Sequence, residues 1–176
     1  FWTLKYPPKE TIEENKDQIK ELNKWNIEPN SLSNCKIFIP QNTEKITGDE
    51  SFFSIKPSQL THGEWCSLLD QEVYSPQGHI LGTTIEQFEG NNFNIEDMIQ
   101  YIGDPNNFNT IADQSINALL YKLEDYRRTN LFSNNGLDVA DLLVKGQCNV
   151  FMLRDLRNED ISLVTSIIAR QLFNVM

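Results

Sequence analysis

The sequence predicts an α/β fold that is rich in helix. Short apolar runs of the strand type lie near both ends of the chain, and amphipathic helical stretches fill its middle. Near the C-terminus an apolar run is followed by a tight polar turn and an apolar helix, which together form half of a βαβ unit. With 176 residues, the chain is long enough for one domain and short for two.

The first part of the chain is predicted to contribute strands and one surface helix. Residues 1–6 alternate in polarity and favour β-structure, until Pro7-Pro8 ends the strand. Residues 11–25 carry their apolar side chains on one stripe, which is typical of a helix that lies on a core. The apolar runs 36–39 and 52–55 are two further candidate strands, separated by a polar loop.

The middle of the chain shows helical periodicity with clear start signals. Thr61 and Glu64 have the spacing of a capping box, in which a hydroxyl and a carboxylate satisfy the first backbone N–H groups. Ser75 precedes a proline at the first helical position, and Asn94 can cap a third helix. The sequence therefore predicts three short helices that begin at these residues.

Two more helices are predicted before the chain returns to strand. Residues 110–128 carry the most regular apolar stripe, and Arg127 and Arg128 lie in the last turn, where cations suit the helix dipole. Residues 137–144 give one more short helix. These helices belong to a predicted helical subdomain.

The C-terminal segment has the pattern of a parallel sheet. Residues 149–153 form an uninterrupted apolar run, as expected of a strand buried on both faces, and an apolar helix begins at Glu159. A parallel partner strand is expected after Met176. We therefore divide the chain into residues 1–56, part of an α/β core with short strands; residues 57–146, a helical insertion subdomain; and residues 147–176, the strand, turn and helix of the core.

The composition indicates a folded, acidic protein. Hydrophobic residues make up 39% and charged residues 23%, unlike disordered chains. The formal net charge of −10 argues against binding to duplex DNA or an anionic membrane through overall electrostatics. The sequence shows neither a signal peptide nor a membrane span, and its three cysteines include no CxxC pair. We expect a cytoplasmic protein with reduced thiols and no membrane partner.

Nucleotide-binding motifs are missing from the sequence. None of the ten lysines is followed by Ser or Thr, as a P-loop requires, and no GxGxxG occurs. No apolar strand ends in the Asp-Glu pair that ATPases use to hold magnesium. We therefore expect that this chain alone binds no cofactor and does not hydrolyse ATP.

The best candidate site lies in the turn between the C-terminal strand and helix. Arg154, Asp155 and Arg157 follow a predicted buried strand, at the end of an α/β sheet where ligands and subunits usually bind. These residues either take part in a nucleotide site or form an Asp–Arg ion pair in a solvated turn. Phosphate binding by Arg127 and Arg128 is the weaker alternative to their role in capping a helix.

One cluster has the residue types of a metal site. His62 and Cys66 would share a helix face, with His79 nearby in sequence, but a metal would need further ligands. The alternative is that Cys66 packs in the core and the histidines lie near the surface. We therefore predict no metal site. The tryptophans are predicted to pack in the core or against other subunits rather than to stack on nucleic acid: Trp2, Trp25 and Trp65.

Several segments resemble the stretch between the two Walker motifs of archaeal HerA-like ATPases. The segments are Phe1-Trp2-Thr3-Leu4-Lys5-Tyr6-Pro7, Trp25-Asn26-Ile27-Glu28-Pro29, Ile37-Phe38-Ile39-Pro40, Ser115-Ile116-Asn117-Ala118-Leu119, Asp141-Leu142-Leu143-Val144-Lys145-Gly146, Val150-Phe151-Met152-Leu153 and residues 164–173. The most specific matches are residues 141–146, 150–153 and 164–173, together with the helix that contains Ser115. In that family a helical segment is inserted into a RecA-like P-loop ATPase core, before a buried strand and an apolar helix.

The resemblance implies that the parent protein of this segment is a motor that assembles as a hexameric ring. Such a motor binds ATP and Mg²⁺, hydrolyses ATP at subunit interfaces and translocates double-stranded DNA, often beside a nuclease. The P-loop would lie before Phe1 and the magnesium-binding strand after Met176. The segment would shape the ring and direct Arg154 or Arg157 toward a neighbouring subunit's phosphates. The alternative is a non-enzymatic, acidic, α-rich module that binds another protein.

Overall fold

Three short parallel strands and six α-helices make up the described part of the chain. A computed structural model describes residues 13–28, 31–32, 34–41, 43–46, 48–138 and 142–175. The strands are β1 (Cys35–Pro40), β2 (Ser51–Phe53) and β3 (Cys148–Phe151). The helices are α1 (Lys16–Lys24), α2 (His62–Leu68), α3 (Pro76–Gln87), α4 (Ile95–Gly103), α5 (Asp113–Thr129) and α6 (Asn158–Val175). The fold is therefore mixed α/β, and none of these helices combines the length and apolar character needed to cross a bilayer.

The sheet has the strand order β2-β1-β3, with both neighbours parallel to β1. Register partners project to the same face, so Phe38 meets Phe151 and their rings stack at 4.9 Å between centroids. The ring of Phe53 packs edge-on against Phe151 at 5.4 Å. Ile37 and Ile39 point to the opposite face and are also buried. Because all three strands run the same way, their carboxyl ends meet at one edge.

The predicted helix starts of α2, α3 and α4 are confirmed by their capping hydrogen bonds. The Thr61 hydroxyl accepts the N–H of Glu64, and the Glu64 carboxylate accepts the N–H of Thr61 at 2.7 Å. Asn94 and Asp97 exchange the same pair of bonds, each 2.8 Å long. The hydroxyl of Ser75 caps α3. These short side chains satisfy N–H groups that a helix leaves without internal partners.

The helices and the sheet share one hydrophobic core. Trp65 of α2 is fully buried and stacks on Phe132 at 5.3 Å. The same cluster includes Phe38 and Phe53 from the sheet and Val164 from α6. Its other fully buried side chains come from the helices and the segment after α5: Leu69, Ile80, Leu81, Met98, Ile102, Leu119, Leu123 and Leu131.

Backbone hydrogen bonds join the start and the end of the helical segment. The N–H of Ile55 donates to the carbonyl of Leu131 at 2.8 Å, and the N–H of Ser133 donates to the carbonyl of Ile55 at 2.9 Å. Slightly further on, the N–H of Leu137 donates to the carbonyl of Ser54 at 2.8 Å. We call these three bonds the backbone clamp. The chain therefore returns to the point from which it left the sheet.

The clamp explains why the helix predicted over residues 137–144 does not begin at Leu137. Residues 137, 138, 143 and 144 are not helical, residue 142 has 3-10 geometry, and residues 139–141 lie outside the described residues. Because the N–H of Leu137 bonds to the extended segment after β2, the chain is held in an extended path there. This tertiary contact overrides a local pattern that favours helix.

Two other elements differ from their predicted extents. β3 ends at Phe151 and all four of its residues are half-buried, because β3 lies at the edge of the described sheet. The helix predicted over residues 11–25 is α1 preceded by a 3-10 turn at Glu13–Asn15. The strand predicted over residues 1–6 lies outside the described residues.

Candidate functional site

The predicted site residues lie in the turn that connects β3 to α6, at the carboxyl edge of the sheet. The guanidinium of Arg154 donates through Nη2 to the carbonyl of Glu44 at 3.1 Å, and Glu44 belongs to the loop that follows β1. This bond ties together two segments that leave neighbouring strands at the same edge. Open α/β sheets bind their ligands at this edge, so the turn occupies the position that the sequence predicts for a site.

Arg154 and Asp155 form an exposed pair. Nε of Arg154 lies 3.3 Å from Oδ2 of Asp155, and the two side chains are 39% and 51% exposed. Ion pairs in contact with solvent contribute little to stability, because water screens their attraction. The Arg154 guanidinium therefore keeps its charge at the surface and can turn toward an anion that approaches this edge.

Arg157 is held by three groups. Its Nε donates to Oδ2 of Asp160 at 2.9 Å, its Nη1 lies 3.6 Å from Oδ2 of Asp125, and its guanidinium carbon lies 4.6 Å from the ring centre of Tyr126. The hydrogen bond with Asp160 raises the pKa of Arg157. Asp160 is nearly buried in the first turn of α6, where the helix dipole favours a carboxylate. Arg157 is therefore a charged anchor between α5 and α6.

Tyr126 connects this anchor to α2. Its hydroxyl lies 3.4 Å from the carbonyl of Leu68, which it can reach as a donor. Burial raises the pKa of Tyr126, and the nearby negative charge of Asp160 raises it further. The phenol therefore stays neutral under all physiological conditions. Its ring provides the face on which Arg157 lies.

Two cavities flank Arg157. The cavity on the sheet side has a volume of about 320 Å³, and its walls include Pro40 at the end of β1, Thr43, Asp155 and Asp160. Oγ1 of Thr43 is buried and has no hydrogen-bond partner within the described chain. The cavity on the other side, about 560 Å³, has these residues in its walls: Ser67, Leu68, Leu69, Asp70, Tyr121, Lys122, Asp125, Tyr126, Arg157 and Glu159. The sheet-side cavity is large enough for a small polar group.

His62, Cys66 and His79, the cluster with the residue types of a metal site, have different surroundings in the structure. The Nε2 atom of His62 lies 2.7 Å from the carbonyl oxygen of Gly78, so the ring connects α2 to α3. Cys66 is buried in the core, and burial raises the pKa of its thiol, whereas His79 is exposed on α3. Within the described ranges no group of three or more His, Cys, Asp or Glu side chains is arranged to hold a metal ion. The packing alternative accounts for Cys66.

The other residues singled out from the sequence have different surroundings. Arg127 forms an ion pair at 2.8 Å with Glu124 in the last turn of α5, which agrees with a role in ending the helix. Trp65 packs in the core, as predicted, but Trp25 is 75% exposed at the end of α1. Trp2 lies outside the described residues.

The alternative of an Asp–Arg ion pair accounts for Asp155, which pairs with Arg154, but sequence reasoning missed the other groups that hold the two arginines. Asp160 lies three residues after Arg157 at the start of a helix, and this spacing could have indicated the pair. Asp125 and Tyr126 come from α5, and the carbonyl of Glu44 comes from the loop after β1. Only the folded chain brings these groups to the turn.

The sequence matches no protein-family model and no curated protein.

Proposed function

We propose that this chain is a segment of a HerA-like, ATP-dependent DNA translocase, and that its sheet is part of a RecA-like P-loop core. The resemblance of its sequence segments to that family suggests the class. The observation that carries the proposal is the position of Arg154: a charged, partly exposed arginine at the carboxyl edge of a parallel sheet. Nucleotide phosphates bind at this edge in open α/β sheets, and arginine suits phosphate recognition.

In this proposal the two arginines have different tasks. Arg154 is the trans-acting arginine, because its two hydrogen-bond partners are a neighbouring exposed carboxylate and a backbone carbonyl. Arg157 is a positioning residue, since Asp160, Asp125 and the ring of Tyr126 already occupy its guanidinium. Asp155 orients the guanidinium of Arg154 through their ion pair. An arginine of this kind stabilises the negative charge that develops during phosphoryl transfer.

The proposal assigns nucleotide binding to other parts of the parent protein. The sequence contains no P-loop lysine followed by Ser or Thr, so the P-loop and the magnesium-binding acids come from other segments of the ATPase core. With a net charge of −10, this chain also leaves the contacts with double-stranded DNA to those segments. Its own partners are the rest of the core and the neighbouring subunits of a cytoplasmic ring, and the whole motor works beside a nuclease.

The test is DNA-stimulated ATP hydrolysis by the complete protein that contains this chain. We expect Arg154→Ala to lower kcat by about 10³-fold or more, as loss of a trans-acting arginine does, with a small change in KM for ATP. Arg154→Lys should restore only part of the activity, because lysine lacks the planar fork of donors. Arg157→Ala should lower thermal stability more than Arg154→Ala does.

Mixed rings provide the control. Combining Arg154→Ala subunits with subunits whose P-loop lysine is changed to alanine should restore turnover at interfaces that pair an intact P-loop with an intact Arg154. Unchanged turnover in Arg154→Ala would remove the catalytic role and leave an ion-paired turn. A reading frame that lacks both a GKS or GKT motif upstream and an apolar strand ending in Asp-Glu downstream would contradict the assignment to the family.

A second candidate is a non-enzymatic module that binds another protein through its helices. The observation that favours it is the loop before α3, where Tyr74 is fully exposed beside the partly exposed Val73. Tyr121 on α5 is also 78% exposed. Aromatic side chains at the surface are common in protein interfaces. This candidate requires that Tyr74→Ala abolishes partner binding while the complete protein hydrolyses no ATP.

A further inference from the structure

Two of the three cysteines face each other across neighbouring strands. Cys35 begins β1 and Cys148 begins β3, and the two are register partners in the parallel pair. They are far apart in the sequence, and only the strand pairing reveals their relation. Cys35, Cys66 and Cys148 are all thiols in the structure.

The two thiols lie on one face of the sheet and close together. Register partners project to the same face, as the stacked rings of Phe38 and Phe151 show three residues further along the same two strands. The N–H of Cys148 donates to the carbonyl of Asn34 at 2.9 Å, which fixes the start of β3 beside the start of β1. Neighbouring strands are about 4.8 Å apart. This spacing lies within the Cα separation of about 4.4–6.8 Å that a disulfide can bridge.

We propose that Cys35 and Cys148 are a redox-reactive pair, which peroxide oxidises to a disulfide between β1 and β3. Cys148 lies on the outer strand of the sheet as far as the chain is described and is partly exposed, so a dissolved oxidant can reach it. Cys35 is buried beside it and serves as the resolving thiol. Cys66 is buried in α2 and takes no part. Both cysteines lie at the starts of their strands, at the end of the sheet opposite its carboxyl edge. The proposal is therefore independent of any nucleotide chemistry at that edge.

The reaction is balanced by the two thiols and one hydrogen peroxide. The Cys148 thiolate attacks one peroxide oxygen, the O–O bond breaks, and the leaving hydroxide takes up a proton to become water. The sulfur of Cys35 then attacks the resulting sulfenic acid, an S–S bond forms, and the S–O bond breaks to release a second water. The two thiols lose two electrons and two protons in total, and the peroxide is reduced to two waters. A reducing thiol reverses the change by disulfide exchange.

The test is oxidation of the full chain in its native state. The reduced protein is treated with hydrogen peroxide without denaturant, the remaining thiols are alkylated, and the proteolytic peptides are mapped by mass spectrometry. We expect a cross-linked peptide pair that contains Cys35 and Cys148, with Cys66 recovered in alkylated form. Dithiothreitol should return both cysteines to the alkylatable state.

Two variants and one denatured control complete the test. Cys148→Ser should lose the cross-link, and Cys66→Ala should keep it. In urea, Cys35 and Cys66 are the closest pair along the chain, so the entropy of loop closure should favour a link between them. A folded wild-type chain, verified by circular dichroism, that yields no Cys35–Cys148 link would overturn the proposal. So would native products in which Cys66 is linked as often as Cys148.

Discussion

The helical region of residues 62–129 and the carboxyl edge of the sheet are held by different kinds of contact. Each of α2, α3 and α4 begins at a capping side chain that accepts the backbone N–H three residues further on, and each buries apolar side chains such as Trp65 and Met98. At the carboxyl edge, charged side chains from distant segments hold one another, as Arg157 does with Asp125. The helical region is therefore stabilised by burial, and the edge by directed polar contacts that leave charge near solvent.

The largest effect is expected in the helical core. Trp65→Ala should lower the free energy of unfolding by about 3–5 kcal/mol, because it removes a fully buried ring and leaves a cavity beside Phe132. Trp25→Ala is the matched control: its side chain is exposed, and a change within about 0.5 kcal/mol is expected. Urea denaturation of both variants measures the difference. Equal losses would contradict the claim that burial of Trp65 stabilises the helical region.

A smaller effect is expected where the helical segment meets the sheet. A Cβ added to Gly136 would lie 2.5 Å from the backbone carbon of Ile55, so Gly136→Ala should cost about 1–3 kcal/mol in the free energy of unfolding. In α2, a Cβ at Gly63 meets no atom within 4 Å, and Gly63→Ala should stabilise the protein by about 0.5–1 kcal/mol. Thermal denaturation should therefore shift in opposite directions, and a shared direction would contradict the close contact at Gly136.

Of the two carboxylates that contact Arg157, that of Asp160 should contribute more to the stability of the folded protein than that of Asp125. Asp160→Asn removes the charge from a nearly buried group that accepts a hydrogen bond from Arg157, and should cost about 1–2 kcal/mol after allowance for the partial exposure of the arginine. Asp125→Asn should cost less than about 0.5 kcal/mol, because this carboxylate is 65% exposed. Guanidinium denaturation compares the two, and a larger loss for Asp125→Asn would refute this order.

Tyr126 should make the folded protein lose stability at alkaline pH. The pKa of Tyr126 is raised in the folded state by burial, so the folded protein holds the phenol proton more tightly than the unfolded chain, whose tyrosine has a pKa of about 10. This contribution is fully present below pH 10 and is lost as pH rises further, by at most about 1.4 kcal/mol per pH unit. Urea denaturation at pH 8 and pH 11 should show a larger loss of stability for the wild type than for Tyr126→Phe.

Tyr74→Phe is the control for this prediction, because the side chain of Tyr74 is fully exposed. Its stability should fall with pH as steeply as that of the wild type. If Tyr126→Phe also followed the wild type, the buried phenol would have no part in the alkaline loss.

The comparison also explains what could be predicted from the sequence. Thr61, Ser75 and Asn94 start helices through contacts a few residues away, so their pattern alone locates α2, α3 and α4. The strand, turn and helix around Arg154 and Asp155 are also local, which is why the sequence places them at the end of a strand.

What could not be predicted depends on pairing between distant segments. Arg154 reaches the carbonyl of Glu44 across 110 positions of the chain, and the facing of Cys35 and Cys148 depends on the register of β1 and β3. The helix predicted over residues 137–144 does not begin at Leu137 for the same reason, since the N–H of Leu137 donates to the carbonyl of Ser54. A one-residue change of register between β1 and β3 would separate Cys35 from Cys148 while leaving the sequence pattern the same.

The backbone clamp has a consequence for how this protein can change over evolutionary time. Ile55 and Leu131 are joined by a 2.8 Å hydrogen bond, so the two ends of the stretch between them lie next to each other beside the sheet. Residues can be added to or removed from the connections between its helices without moving either end, and the entropy of a longer loop grows only slowly. The connections within the helical stretch can therefore vary in length while β1, β2 and β3 keep their register, whereas the buried side chains of its helices are fixed by the core that they share with the sheet.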